Sequence, residues 1–567
     1  MPHRRYLPVA LSMLAAATLA ACQSVRTGNE AAQADPQPRE AAAERALDRI
    51  EVSGARIATG HAAASPPTMP MQLAPMAAPP PVPAYWQPAN TEKYAERGDN
   101  PVQRAREQPV STFSIDVDTG SYSNVRRMLA DGVRPPADAV RAEEFLNSFR
   151  YGHPAPDSRE VPFRVSTELA PAPWNGRRQL LMIGIKGYEM PKAALPPANL
   201  VFLIDTSGSM QAPDKLPLLK RAFALLVEQL RPQDRVSIVA YAGSAGLVLP
   251  PTPGDRGGEI LAAIEHLEAG GSTNGGEGIR LAYATAKRAF VDGGVNRVIL
   301  ATDGDFNVGV TDPGALETLV ADQRRHGIAL TTLGFGEGNY NDALAEKLAD
   351  VGDGNHAYID SVHEARRVLV EQMGGTLFTI ARDVKIQIEF NPAHVAEYRL
   401  IGYENRLLAR EDFANDRVDA GEIGAGHEVT ALYEITPVGS GAERLPPLRY
   451  GAETPAGGPQ GEIAHLRLRY KRPGEDESRL IETPIRRAQQ THEASPRLRL
   501  AATVAAFADL LRGGEHIDGW RWDDALREAR ALRTMDARGQ QRELIGLIER
   551  ARAVAEGAAA DGVAVGE

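Results

Sequence analysis

A chain of 567 residues is too long for one hydrophobic core, so about two to four domains are expected. Hydrophobic residues make up 43% and charged residues 24%, as in ordinary globular protein, and a formal net charge of -11 argues against nucleic acid as a partner. Cys22 is the only cysteine, so no disulfide can form within the chain.

The first 22 residues read MPHRRYLPVALSMLAAATLAAC. Arg4 and Arg5 form a short positive start, and Leu7 to Ala21 is apolar but too short for an ordinary transmembrane helix. Residues 1–21 therefore read as an export signal. A plain signal peptide with an incidental cysteine and a twin-arginine signal are the alternatives. The run Leu19-Ala20-Ala21-Cys22 resembles the lipobox of bacterial lipoproteins. That resemblance implies cleavage before Cys22, diacylglycerol on its sulfur, and a lipid-anchored, periplasm-facing protein of the bacterial cell envelope. With Cys22 acylated, the folded body would have no thiol for a nucleophile or a thiolate zinc site. Gln23 stands where the family's inner-membrane retention signal has aspartate, which favours the outer membrane.

Residues 22–92 are rich in Ala, Pro and Gln, with MPMQLAPMAAPPPVPAYWQP near the end. Such a stretch buries too little apolar area to offset the cost of ordering and reads as a disordered tether. Residues 93–196 form a mixed α/β region. STFSIDVD reads as a strand, NVRRMLADG and AVRAEEFLNSF as helices, and VPFRVSTELA and RQLLMIGIKG as paired strands around a turn at Asn175-Gly176. Residues 197–375 alternate strand and helix. NLVFLID is continuously apolar, as in a strand covered on both faces, and residues 215–230 place Leu216, Leu219, Phe223, Leu226 and Leu230 at helical spacing. Repeated β-α units imply an α/β, doubly wound parallel sheet. Across residues 376–480, VKIQIEF, EYRLIGYE, HEVTALYEI and EIAHLRLRYK alternate apolar and polar residues, as antiparallel strands do. Residues 481–567 are largely amphipathic helix. Strands on both sides of the α/β unit point to one β-sandwich-like domain, built from segments before and after it, into which the unit is inserted.

Three loops of the α/β unit carry chemistry. They are Asp205-Thr-Ser207-Gly-Ser209, Gly270-Gly-Ser-Thr273-Asn-Gly-Gly276 and Thr302-Asp303-Gly-Asp305. Ligands of open α/β sheets bind beyond the carboxyl ends of strands, where these loops could meet. Two carboxylates and three hydroxyls are hard oxygen ligands suited to Mg2+, with Mn2+ or Ca2+ as substitutes.

The strand VFLID running into DxSxS, a Gly-rich threonine loop and a strand ending in TDG resemble the von Willebrand factor type A domain. Asp205, Ser207, Ser209, Thr273 and Asp303 match the five residues of its metal-ion-dependent adhesion site. The resemblance implies that a protein partner's Glu or Asp supplies the last metal oxygen, and that no catalytic residue is present. DFNVGVTDP after Asp303 and the flanking regions resemble the bacterial YfbK-like lipoproteins.

Rival motifs are weaker. Asp118-Thr-Gly-Ser121 is one half of an aspartic-protease dyad with no proper second half, since Asp205-Thr-Ser lacks the glycine. Asp303, Asp305 and Asn307 begin like an EF-hand loop, but Val308 and Gly314 fall where glycine and glutamate are required. Gly334-Phe-Gly336-Glu-Gly338 reads as a turn, Trp520 and Trp522 as packing for the C-terminal helices, and Glu277 and Asp305 as rim or solvated surface. The expectation is a membrane-anchored envelope protein that uses a divalent cation for protein binding or scaffolding. A metal-dependent hydrolase and a structural protein whose metal only stabilises the fold are the alternatives.

Overall fold

The computed structural model describes Tyr94 and residues 98–564, apart from 117, 159, 305–312, 337–341, 373–374, 376–377, 447–460 and 533–538. The signal, Cys22, the tether and Asp305 lie outside the described residues. By internal contacts the chain divides into residues 1–84 and 85–567, and the described residues all belong to the second unit.

In chain order, the elements before the α/β unit are β1 (Gln103–Arg104), β2 (Val110–Ser114), α1 (Gly120–Ala130), α2 (Ala142–Asn147), β3 (Phe163–Ala172) and β4 (Asn175–Gly187). The α/β unit comprises β5 (Ala198–Asp205), α3 (Leu216–Val227), β6 (Arg235–Tyr241), β7 (Ala245–Pro253), α4 (Gly257–Glu265), α5 (Gly275–Arg288), β8 (Val295–Thr302), α6 (Pro313–Arg325), β9 (Ala329–Phe335), α7 (Asp342–Val351), β10 (His356–Ile359) and α8 (Val362–Arg366). Then come β11 (Thr379–Phe390), β12 (Val395–Ile401), β13 (Ile423–Gly424), β14 (Glu428–Pro437), β15 (Glu462–Lys471), β16 (Arg479–Arg486) and the helices α9 (Pro496–Arg512), α10 (Trp522–Ala531) and α11 (Gln540–Ala564).

The central sheet has the order β10-β9-β8-β5-β6-β7. Its pairings are parallel except β6 with β7. The doubly wound parallel sheet is as expected, with one antiparallel edge strand added that sequence reading did not find because AGLVLPPTP carries three prolines. Proline donates no ladder hydrogen bond and is tolerated at an edge. In β5, Leu200, Phe202 and Ile204 face one core and Val201 and Leu203 the other, which is why the strand is apolar throughout.

The flanking segments form one sandwich. One sheet runs β1-β12-β14-β4-β3, and the other β13-β11-β15-β16 with β2 beside β11. Between them lie Leu181, Ile183, Ile185, Ile386, Ile388, Phe390 and Tyr433. The outer face of the first sheet is covered as well. Leu180, Met182 and Leu432 pack with residues of α1, α2 and the three C-terminal helices. Burial on both faces explains the unbroken LLMIGI of β4. Helix α9 has clear local signals: Ser495 Oγ accepts the Leu498 N–H at 3.3 Å, proline opens the first turn, and Gly513 follows the last at φ 129.

The β3–β4 turn is not at Asn175-Gly176. Ala172 pairs with Asn175, so Pro173 and Trp174 make the turn. Trp174 is drawn inward: its Nε1 donates to Glu434 Oε1 at 2.6 Å and its ring meets Trp520 edge-on at 5.9 Å. Trp522 packs against Phe507 at 6.3 Å, so both C-terminal tryptophans are packing residues.

Charged clasps join the α/β unit to the sandwich and helices. Arg406, after β12, reaches Asp116 at 3.1 Å, Asp118 at 3.0 Å, and Glu346 and Asp350 of α7 at 3.1 and 2.7 Å. Asp118 also accepts the His356 N–H at 2.8 Å, so the D-T-G-S string holds a junction together. On α1, Arg126 reaches Asp360, Glu364 at 2.9 Å and Glu543 at 2.8 Å.

Candidate functional site

The carboxyl edge of the central sheet collects the three loops. Asp205 ends β5, and the chain then turns through a 3-10 segment, Gly208–Gln211, toward α3. Asp205 Oδ1 accepts the Ser207 N–H at 2.8 Å. Its Oδ2 accepts two hydroxyls from strand ends, Tyr241 at 3.1 Å and Thr302 at 3.3 Å. Three donors from three strands or loops therefore fix the carboxylate's orientation. Burial pushes its carboxyl up from the usual value and the charge of Asp303 adds to this, while the Ser207 and Tyr241 hydrogen bonds oppose the shift.

Ser207 Oγ and Ser209 Oγ stand 2.9 Å apart. Thr273 is half-buried on a loop docked onto the first: Gly208 N–H donates to Gly271 O at 3.1 Å, and Gly270 N–H to Thr206 O at 2.8 Å. The Asn274 N–H donates to Ala242 O at 2.6 Å, which ties the same loop to the end of β6. Gly278 on α5 leaves room for the Tyr241 ring, where a Cβ would come within 2.9 Å. Asp303, fully buried, follows β8, and Lys215 Nζ donates to its Oδ2 at 2.9 Å. Its Oδ1 is buried and has no hydrogen-bond partner among the described residues.

Asp205 thus touches Ser207, Ser207 touches Ser209, and Asp303 lies within electrostatic reach of Asp205. Thr273 is brought by its backbone, with no side-chain hydrogen bond to the other four among the described residues. Glu277 is exposed and accepts from Asn274 Nδ2 at 3.3 Å, as a rim residue would.

The donor set fits a divalent cation. A buried carboxylate oxygen without a partner is costly unless a cation or donor meets it, and Asp303 Oδ1 is such an atom; the charge of Asp303 acts on Asp205, on the loop that brings the Ser207 and Ser209 hydroxyls together. Two contributors escaped sequence reading: Tyr241 looks like a strand residue, and Lys215 like a solvated lysine before an apolar helix. Thr302 reads as part of its loop but not as a donor to Asp205. A cavity of about 320 Å³ elsewhere, lined by Asn147, Thr331, His356, Arg367, His427 and Glu428, includes none of the five residues.

A sheet of this order with these loops at its carboxyl edge defines a von Willebrand factor type A domain. The family model for that domain matches residues 200–305, and a second model described as von Willebrand factor matches residues 88–182. A model for the C-terminal region of the uncharacterized protein YfbK matches residues 375–554. The chain is 46% identical over 474 residues, 82% of each chain, to the uncharacterized protein YfbK of Escherichia coli (strain K12). It therefore belongs to the YfbK family. An uncharacterized protein of Synechocystis sp. is 27% identical over 325 residues, 56% of this chain and 71% of its own. Among solved structures, a von Willebrand factor type A protein from Catenulispora acidiphila is 18% identical, with a TM-score of 0.38, over 70% of this chain and 91% of its own.

Proposed function

We propose that this protein binds another protein through a divalent cation, Mg2+ first, held by Asp205, Ser207, Ser209, Thr273 and Asp303, and that it does so from a lipid anchor at the cell envelope. The observation that carries the reading is the orphaned Asp303 Oδ1, with the Ser207 and Ser209 hydroxyls paired on the loop after β5 in support. When bound, the cation supplies a positive centre that a carboxylate oxygen of the partner can join. The residues of the chain hold and orient: Tyr241 and Thr302 aim Asp205, and the docked glycine loop carries Thr273 to the edge. Two carboxylates and neutral hydroxyls neutralise a divalent charge without saturating it with anions. That is the chemistry of a site that accepts one more carboxylate rather than one that activates water.

The anchoring half of the reading rests on Cys22 and the apolar run before it. Among the described residues, no helix is long and apolar enough to cross a membrane.

Thermal melting with Mg2+ and with chelator tests the site. The wild-type protein should melt higher with Mg2+, and Asp205→Ala should lose the increment. A wild type indifferent to Mg2+ refutes the metal. Crosslinking and pull-down from envelope, with Thr273→Ala as control, tests the binding role. Identical captured proteins with and without Thr273 would leave the metal a purely structural part.

A further inference from the structure

The connection between the first site loop and α3 carries Lys215, which is only 7% exposed. Lysine is normally left in water, because burying an ammonium is costly unless it is paired. Here Nζ lies 2.9 Å from Asp303 Oδ2. The backbone is fixed as well: Lys215 N–H donates to Ala212 O at 3.0 Å, and Lys215 O accepts from Leu219 N–H at 2.8 Å.

A fourth loop shapes the path of the lysine stem. Gly336, directly after β9, has φ 76, and a Cβ there would run into Lys215 Cγ and Cε. Its carbonyl accepts the Tyr358 hydroxyl at 2.8 Å, which holds that backbone in place. The glycine that reads as a turn residue in Gly334-Phe-Gly336 is thus also the only residue type that lets a lysine stem cross.

We propose that Lys215 is a fixed counter-charge of the metal site. It occupies one oxygen of Asp303, turns the other toward the cation, and lowers the affinity for a bare cation, so that cation and anionic partner group bind together. This rests on the metal-binding reading proposed for the five residues. The charges explain the consequence. Asp205, Asp303 and Lys215 sum to -1, so a divalent cation leaves the site at +1; without the ammonium it would be neutral. A positive site attracts a carboxylate, and by linkage the carboxylate tightens the cation by the same factor. Lys215 thereby specifies an acidic group as the partner's contact.

The test is Mg2+ titration of the full-length protein by calorimetry, with Mg2+ as the only probe, on wild type, Lys215→Met and Lys215→Arg. Lys215→Met is expected to bind Mg2+ more tightly, by roughly three-fold or more for a unit charge removed a few ångströms away, and Lys215→Arg to stay near wild type. In chelator, Lys215→Met should melt lower than wild type, because both carboxylates then lack a cation. The sign separates charge from architecture, since mere damage to the loop would weaken binding. A responsive wild type with unchanged or weakened Mg2+ binding in Lys215→Met overturns the inference and leaves the metal site standing. A wild type with no Mg2+ binding overturns both. If Lys215→Met does not fold, Lys215→Gln, which keeps a hydrogen-bond donor without the charge, serves in its place with the same expected sign.

Discussion

Arg406→Met should be among the most damaging single changes outside the cores. The guanidinium sits among Asp116, Asp118, Glu346 and Asp350, at 2.7 to 3.1 Å from each. Asp118 and Glu346 have side chains only 2% and 9% exposed, so water cannot replace the lost cation. Breaking a buried pair by removing one partner costs about 3–5 kcal/mol. The pH dependence is set by the neighbours. Burial and the charge of Asp116 hold Asp118 well above the usual carboxylate range, and the same causes push Asp350 up to about 7, with Arg406 opposing both. A carboxylate whose folded pKa is raised stabilises the fold fully below its unfolded pKa, and loses that contribution as pH rises through the folded value. Loss of Arg406 raises both further, so the deficit of the variant should be smallest near pH 4–5 and largest at pH 8. Urea unfolding and thermal melting across that range measure it. A pH-independent deficit, or one under about 1 kcal/mol at pH 8, would refute the claim that the clasp is electrostatically closed.

Trp174→Ala removes the turn's anchor to Glu434 and Trp520 and should cost about 3–5 kcal/mol in urea unfolding; a loss under about 1 kcal/mol would show the turn held by its backbone alone. Glu364 is buried, which opposes ionisation, yet Arg367 and Arg126 hold its carboxyl down to about 2. Its stabilising contribution is present above the unfolded value of about 4.5 and fades as pH falls toward 2. Glu364→Gln should therefore flatten the acid limb of the stability profile in that window, and an unchanged limb would count against the pair. Cys22→Ser should release the protein from membranes into the soluble fraction on cell fractionation; retention would refute the lipid anchor.

Local pattern made much of this protein legible. The apolar run NLVFLID marked a strand covered on both faces, as the structure has it; the alternation of VKIQIEF marked a strand but not its exposure, because Lys385 and Gln387 on its polar face are buried too. The loops were legible because D-x-S-x-S and T-D-G are short, and the oxygens proposed to meet a cation are those of the residues written there. Other features depended on partners hundreds of positions away. Trp174 displaced the expected Asn175-Gly176 turn because Trp520 and Glu434 wait across the fold. The prolines of β7 hid a strand that only an edge position permits. Lys215 looked like surface until Asp303 and Gly336 closed around it. What sequence by itself determined is the run of elements and the kinds of side chain at the sheet's edge. What tertiary structure alone decided is which charges are paired, because pairing is a property of distance and burial, and neither is written in neighbouring residues.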